Sequence, residues 1–468
     1  ERRAGDVECS GICYDTRTME PGCLFVALPG YKTDGHKYIA QALEKGAAAV
    51  LCQHPPEGEG PWLVTPDARA ALAAVSANWF GHPARDLTLL AVTGTNGKTT
   101  TTYLLKAMLE GVLGARVGLI GTNQNMVGEE VLPAHRTTPE SYEVQQLLRE
   151  MADAGCTHVV MEASSHALVL HRLDGLRFRA GIFTNLTQDH LDFHGTMEAY
   201  RDAKGLLFRQ SDTAVLNLDD EAGRYFARTV AVPRLTYSER RDEADLTAKN
   251  LRLFPDRVEF EAVAEGAISR VRLPIPGGFT VYNALGVLTC GLALGLPLAD
   301  CADALAKAPG VKGRIEVVPT PTDYTVLIDY AHNEAAAECL LRTLRAYRPT
   351  RLVAVFGCGG ARSRLRRFGM GSVCARLADF CIITEDNSRG EPVEHILADI
   401  RAGLRLGNPA TPFAEIPDRR QAIYYALDHA QPGDIIAILG KGHETTIERG
   451  GIKEPFVERE IVEEYWGR

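Results

Sequence analysis

The run from Leu87 to Val112, LTLLAVTGTNGKTTTTYLLKAMLEGV, constrains what this chain can fold into more than any other stretch. Leu87 to Val92 is apolar and ends at Thr93, which reads as a buried strand. Gly94-Thr95-Asn96-Gly97 follows, and Tyr103, Leu104, Ala107 and Met108 then recur at helical spacing. A strand that turns through glycines into a helix opened by Lys98, Thr99 and Thr100 predicts a phosphate-binding loop. Its backbone N–H groups and the helix N-terminus would cradle phosphate oxygens. Lys98 would reach the terminal phosphates, and the Thr99 hydroxyl would ligate Mg²⁺. The loop is shorter than usual, because Val92 stands where the first glycine would be and Gly94 supplies the turn. A ligand-free glycine turn would explain the strand and the helix, but not Lys-Thr at the helix start.

With 468 residues, the chain is long enough for about three domains. Its 45% apolar and 24% charged residues describe an ordinary globular protein. The net charge of −9 excludes a broad nucleic-acid surface, so an anionic ligand must be held by local basic clusters. Eleven cysteines, an odd number without a C-x-x-C pair, imply reduced thiols and a cytoplasmic protein. The opening Glu1-Arg2-Arg3 does not read as a secretory signal. Within the uncharged stretch from Phe279 to Ala299, the apolar part from Ala284 to Leu296 is too short to span a bilayer. It reads as a buried helix, so no membrane insertion is expected.

The alternation of apolar and periodic segments predicts an α/β protein of three domains. Residues 1–86 form a small N-terminal α/β domain, with strands at Cys23 to Ala27 and Ala48 to Cys52. Its helices are expected at Lys37 to Lys45 and Ala68 to Phe80, its polar turn at Gly30 to His36, and its loop at His54 to Pro61. Residues 87–309 form a central P-loop, ATP-binding domain of alternating strands and helices on a parallel sheet, including strands His158 to Glu162 and Ala180 to Asn185. Residues 310–468 form a C-terminal Rossmann-like domain, with strands at Tyr324 to Asp329, Leu352 to Phe356, Phe380 to Thr384 and Ile435 to Leu439.

Polar clusters follow several of these strands, where open parallel sheets bind ligands. Glu162-Ala-Ser164-Ser165-His166 and Asp189-His190-Leu-Asp192-Phe-His194 carry donors suited to Mg²⁺. His190 and His194 would pair on zinc only in a helix, a pattern that Gly195 breaks. In the C-terminal part, Gly357-Cys-Gly-Gly360 precedes a basic run, Arg362 to Arg367. That run reads either as a solvated helix face or as a carboxylate or phosphate site. Glu385-Asp386-Asn387-Ser388-Arg389 and Gly440-Lys441-Gly442-His443-Glu444 also follow strands. All three segments should therefore meet at one sheet edge carrying both charges, as a zwitterionic amino acid requires.

The ordered motifs Asp15-Thr16-Arg17, TGTNGKTTT, RTTPES, MEASSHALVLHR, FTNLTQDHLDFHGTMEAYRDAK, PGGFTVYNAL, GRIE, IDYAHN, GCGG, DNSR and GKGHE cover nearly the whole chain. Together they resemble the Mur ligase family, and within it the members that add the third residue of the peptide. The resemblance implies an ATP-dependent, cytoplasmic ligase of peptidoglycan precursor synthesis. It would add meso-2,6-diaminopimelate to the D-Glu γ-carboxylate of UDP-N-acetylmuramoyl-L-Ala-D-Glu through an acyl phosphate, and is expected to act as a monomer. Lysine or lanthionine as acceptor is the alternative, followed by a non-catalytic nucleotide-binding paralogue. Folylpolyglutamate synthetase would share the central loop, but not the DNSR and GKGHE pair.

By the same resemblance, Lys98, Glu162, His190 and Lys204 are the catalytic residues, Lys204 as a carbamate. Thr99, Glu162, His190 and Lys204 would hold the metal. Gly94, Thr95, Asn96, Gly97, Lys98, Thr99, Thr100, Asn283, Arg314 and Asp329 would bind ATP. Thr16, Gly30, Asp34, Gly35, Thr137, Thr138, Ser164 and Arg172 would hold the UDP-dipeptide. Arg362, Asp386, Asn387, Arg389, Gly440 and Glu444 would bind the amino acid. Arg389 can form a bidentate pair with the distal carboxylate of diaminopimelate, whereas lysine would set a second cation against it. Three departures from the family's pattern stand out. Ser388 replaces the proline of D-N-P-R, Gly359-Gly360-Ala361-Arg362-Ser363 replaces G-G-D-R-D, and Tyr330-Ala331-His332-Asn333-Glu334 replaces Y-A-H-T-P.

Overall fold

The computed structural model describes residues 2–4, 7–30, 33–55 and 60–467, so parts of the turn expected at Gly30 to His36 and of the loop at His54 to Pro61 lie outside the described residues. The chain forms two compact units, residues 1–237 with 292–295, and residues 238–291 with 296–468.

In the first unit, a five-stranded sheet has the order Arg2–Ala4, Trp62–Val64, Ala49–Cys52, Leu24–Val26, Ile12–Cys13. It is parallel except for its first pair. Successive side chains on a strand point to opposite faces. One face therefore packs Phe25, Val50 and Cys52 on Ile39 and Ala42 of the helix Ile39–Glu44. The other packs Val26 and Leu51 on Ala68 and Leu72 of the helix Ala68–Trp79. Asp67 starts that second helix by accepting the N–H groups of Arg69 and Ala70.

The second sheet of this unit runs Arg234–Ser238, Ala214–Asn217, Ala180–Phe183, Thr88–Thr93, His158–Glu162, Val117–Ile120, all parallel. Short antiparallel strands Asn125–Val127 and Glu130–Leu132 extend its far edge. The continuous apolar runs are explained by burial of both sheet faces. Thr88–Thr93 lies between His158–Glu162 and Ala180–Phe183, which sets three polar strand ends side by side.

The second unit corrects one expectation. Residues 246–273 do not alternate strand and helix; they form an antiparallel meander of Leu246–Leu253, Val258–Ala264 and Ala267–Leu273. The reason is period-two burial: Phe260 and Ala262 point inward, and the exposed Ile268, Arg270 and Arg272 mark the solvent side. The buried helix is present, from Gly278 to Ala293, and is apolar on all sides.

The last sheet has the order Glu316–Val318, Thr325–Asp329, Ile435–Leu439, Leu352–Phe356, Phe380–Ile383, Phe413–Glu415, antiparallel only at its first pair. Ile435–Leu439, Leu352–Phe356 and Phe380–Ile383 are consecutive neighbours. The GKGHE, GCGG and DNSR segments therefore leave one sheet edge together, as expected. Among the described residues, no helix is long and apolar enough to cross a membrane.

A fully buried ion pair locks this sheet edge. Arg419 donates to Glu458 Oε1 (2.7 Å) and to the carbonyls of Glu385 (3.0 Å) and Leu439 (2.7 Å). Arg419→Ala strands the Glu458 carboxylate in the interior. It should cost this unit about 3 kcal/mol in denaturant unfolding, and a loss below about 1 kcal/mol would refute the locking role.

Candidate active site

The strand, glycine turn and helix from Thr88 to Leu113 are built as the sequence predicts. Gly94 (φ +147°) and Gly97 (φ +85°) take up backbone conformations that side chains disfavour, and the helix Lys98–Leu113 starts at once. A Cβ on Gly94 would lie 1.9 Å from Thr184 Oγ1. The neighbouring strand end pins the loop. Thr184 Oγ1 donates to Asn96 O (2.7 Å), Thr95 N to Asn185 O (2.8 Å), and Asn96 N to Asn185 Oδ1 (3.0 Å).

Two ammonium groups converge on this loop. Lys98 Nζ donates to the carbonyls of Gly94 (3.0 Å) and Thr95 (2.9 Å), and Lys204 Nζ donates to Gly94 O (2.9 Å). Lys204 is 1% exposed on the helix Met197–Arg209, with its Nζ 4.2 Å from the centre of the Tyr200 ring. Burial, and then the charge of Lys98, drive its pKa well below that of an ordinary lysine; Asp189 opposes them.

Glu162 closes the strand His158–Glu162 and is also 1% exposed. It accepts from Thr99 Oγ1 (3.0 Å), Thr122 N (2.9 Å) and, on its other oxygen, Thr122 Oγ1 (2.9 Å). This set of buried carboxylate and hydroxyl oxygens fits a hard divalent cation. His190 begins the short helix Leu191–His194 in the left-handed region, its ring 4.9 Å from that of His166. His194 turns to Ser165 Oγ (2.9 Å) and stacks on Tyr200. Burial, helped by His166, lowers its pKa to about 4.

The residues expected to hold the UDP-dipeptide fall into two groups. Thr137, Thr138, Ser164 and Arg172 come together beside Glu162. Thr137 Oγ1 lies 3.0 Å from Thr122 Oγ1, and Thr138 Oγ1 lies 2.7 Å from Glu162 O and 3.2 Å from Ser164 Oγ. Arg172 Nη1 donates to Thr138 O (3.0 Å). Thr16, Gly30, Asp34 and Gly35 are held near the N-terminal sheet by local bonds of their own. Thr16 Oγ1 donates to Gln41 Oε1 (2.9 Å), Asp34 accepts from His36 N (3.0 Å), and Gly35 N donates to Leu28 O (2.8 Å).

Sequence reasoning missed Thr122 and Glu140. Thr122 lies just beyond a buried strand end, a position that should have marked it. Glu140, 6% exposed, is clamped by Arg136 (2.6 Å), four residues before it, and by Arg172 (2.8 Å) and Arg69 (3.2 Å), whose distance along the chain leaves no local signal.

In the second unit, Asp329 is half-buried and accepts from Ile315 N and Ala331 N, both at 2.8 Å. Burial raises its pKa, while Arg314 opposes that rise. The Arg314 guanidinium lies 4.9 Å from the centre of the Tyr330 ring, and Asn283 is buried on the helix Gly278–Ala293. The three expected acceptor segments interlock through their main chains. A Cβ on Gly357 would meet Thr384 O at 2.4 Å, one on Gly360 would meet Ser388 O at 2.0 Å, and one on Gly440 would meet Asp386 Oδ2 at 2.8 Å. Arg389 Nη1 donates to Gly360 O (2.8 Å), and its Nε lies 3.8 Å from Glu448. The basic run divides. Arg364 and Arg367 are engaged by Asp399 and Glu391, whereas Arg362 is exposed.

Comparison with known proteins places these two sites in one context. The chain matches the Mur ligase middle domain over residues 92–291, the Mur ligase glutamate ligase domain over 313–442, and the Mur ligase family catalytic domain over 8–78. It is 44% identical to a UDP-N-acetylmuramoyl-L-alanyl-D-glutamate--2,6-diaminopimelate ligase of Caldanaerobacter subterraneus subsp. tengcongensis, over 98% of this chain and 95% of that one. It is 43% identical to a UDP-N-acetylmuramyl-tripeptide synthetase of Roseiflexus sp., over 96% and 93%. A solved UDP-N-acetylmuramoyl-L-alanyl-D-glutamate--2,6-diaminopimelate ligase superposes with a TM-score of 0.71 at 32% identity, covering 98% of this chain and 94% of that one.

The crowding at Gly94 makes a direct test. Gly94→Ala must displace Thr184 and break its bond to Asn96, so nucleotide affinity measured by calorimetry should fall about tenfold or more. Unchanged affinity would show that the loop does not depend on this contact.

Proposed function

The chain belongs to the Mur ligase family, and from that premise we propose that it joins meso-2,6-diaminopimelate to UDP-N-acetylmuramoyl-L-Ala-D-Glu. It is an ATP-dependent, amide-forming ligase of peptidoglycan precursor synthesis. The observation that carries the acceptor assignment is the interlock of three strand-end turns around Arg389 and Glu444, a cradle with a guanidinium at one end and carboxylates at the other.

In the first step, a D-Glu γ-carboxylate oxygen attacks the γ-phosphorus of ATP. The new O–P bond forms as the bond to the β-phosphate oxygen breaks, and ADP leaves. In the second step, the neutral amino group of the acceptor attacks the acyl carbon, loses its proton, and expels inorganic phosphate as the amide forms. Both steps depend on neutralising charge and holding groups in line rather than on covalent help from the protein. Lys98 supplies an ammonium already resting on the loop carbonyls. Arg172, steadied by Glu140, would take a carboxylate of the dipeptide. Thr99, Glu162, His190 and the carbamate of Lys204 would hold Mg²⁺, which when bound offsets the negative charge of the phosphoryl oxygens.

Lys204 supports the carbamate reading on its own. It is buried beside a second lysine, where burial favours the uncharged amine. A neutral amine adds to CO₂, forming an N–C bond and releasing one proton. The resulting anion would relieve the like-charge conflict with Lys98. The departures from the family pattern are also structurally sound. Asn333 caps the helix Glu334–Arg345 by accepting Ala336 N (2.9 Å), and Ala361, in the left-handed region, is held by Glu391 (3.1 Å).

Phosphate release with the UDP-dipeptide and a panel of amino acids should be fastest with meso-diaminopimelate. Lysine outperforming it would overturn the role of Arg389. Lys204→Ala should lower kcat by about a hundredfold or more, with partial recovery in acetate; full unrescued activity would remove the carbamate.

A further inference from the structure

Lys441 stands between Gly440 and Gly442 with no exposed surface. A desolvated ammonium is tolerated only where carboxylates and acceptors surround it. Here its Nζ donates to Glu444 Oε2 (2.7 Å) and Asn387 Oδ1 (3.1 Å), and lies 3.9 Å from Asp386 Oδ1. Asn387 completes the circuit. Its Nδ2 donates to the same Glu444 oxygen (2.9 Å), while Glu448 N donates to its Oδ1 (2.9 Å). Two donors on the amide oxygen and a carboxylate on the amide nitrogen fix which way Asn387 points.

The consequence falls on Glu444, whose side chain is 30% exposed. Both of its donors converge on Oε2, which leaves Oε1 for an incoming group. Two carboxylates, Asp386 and Glu444, share a single buried ammonium, so this end of the cradle keeps one net negative charge. Such a site attracts an ammonium. Without Lys441, the two carboxylates would lose the cation they share, and Glu444 would turn toward solvent.

We propose that Lys441 is the positioning residue of the acceptor site, a buried cation that works through Asn387 to hold Glu444 against the amino end of the diamino acid. This rests on the acceptor reading above. The role differs from simple structural support, because it acts on one substrate of three.

The test compares Lys441→Met and Lys441→Gln with the unmodified enzyme in steady-state assays with ATP, UDP-dipeptide and meso-diaminopimelate. The glutamine keeps a donor while removing the charge, so it serves if the methionine variant does not fold. The KM for diaminopimelate should rise about tenfold or more. The KM values for ATP and UDP-dipeptide should stay in place, as should acyl-phosphate formation trapped with hydroxylamine in the absence of acceptor. An unmoved acceptor KM in a folded variant overturns the proposal, as does an equal change in all three KM values. An unmodified enzyme that releases no phosphate with any amino acid overturns the acceptor reading instead, and the role of Lys441 with it.

Discussion

Two ammonium groups donate to one carbonyl, that of Gly94, and the turn into the helix Lys98–Leu113 is arranged around that crowding. Like charges held this close are unfavourable unless an anion arrives or one charge is lost. Lys98 keeps contact with the loop surface, whereas Lys204 is sealed by its own helix and by Tyr200. The neighbouring strand end holds the loop rigid while this tension persists, through Thr184 and Asn185. An anionic phosphate chain therefore meets donors already in place, and little reorganisation remains when charge develops.

Both sites follow from one rule of parallel sheets. Apolar strands run through the interior and release polar segments at their carboxyl ends, so neighbouring strands deliver neighbouring chemistry. Thr93, Glu162 and Phe183 end adjacent strands in the first unit, and Leu439, Phe356 and Ile383 do so in the second. That is why the sequence revealed so much. The phosphate loop, Glu162, the GCGG, DNSR and GKGHE turns and their meeting at one edge were all legible from apolar runs followed by polar residues.

What escaped depends on partners distant along the chain. Glu140 binds Arg136 four residues away, but also Arg69 and Arg172 from two distant segments, and no local pattern announces that meeting. Arg419 and Glu458 each open a helix and look like surface residues until the fold encloses both. The meander at 246–273 is a different case. Its period-two pattern was present in the sequence, but the surrounding strand and helix alternation obscured it. The basic run after GCGG was ambiguous for a physical reason, since only the fold shows which guanidiniums are already matched by carboxylates.

The glycines of the acceptor cradle carry a consequence beyond packing. Gly357 and Gly360 each bring one main chain against another, and Gly440 brings one against the Asp386 carboxylate, all closer than any side chain permits. The contour of the cradle is therefore written in the backbone, while its charge is written in Asp386, Arg389, Lys441, Glu444 and Glu448. Shape and charge are separately encoded. Exchanging a side chain would change which charges the cradle presents and leave the contour intact, whereas reshaping the contour means surrendering a glycine and the strand-end junction it holds closed.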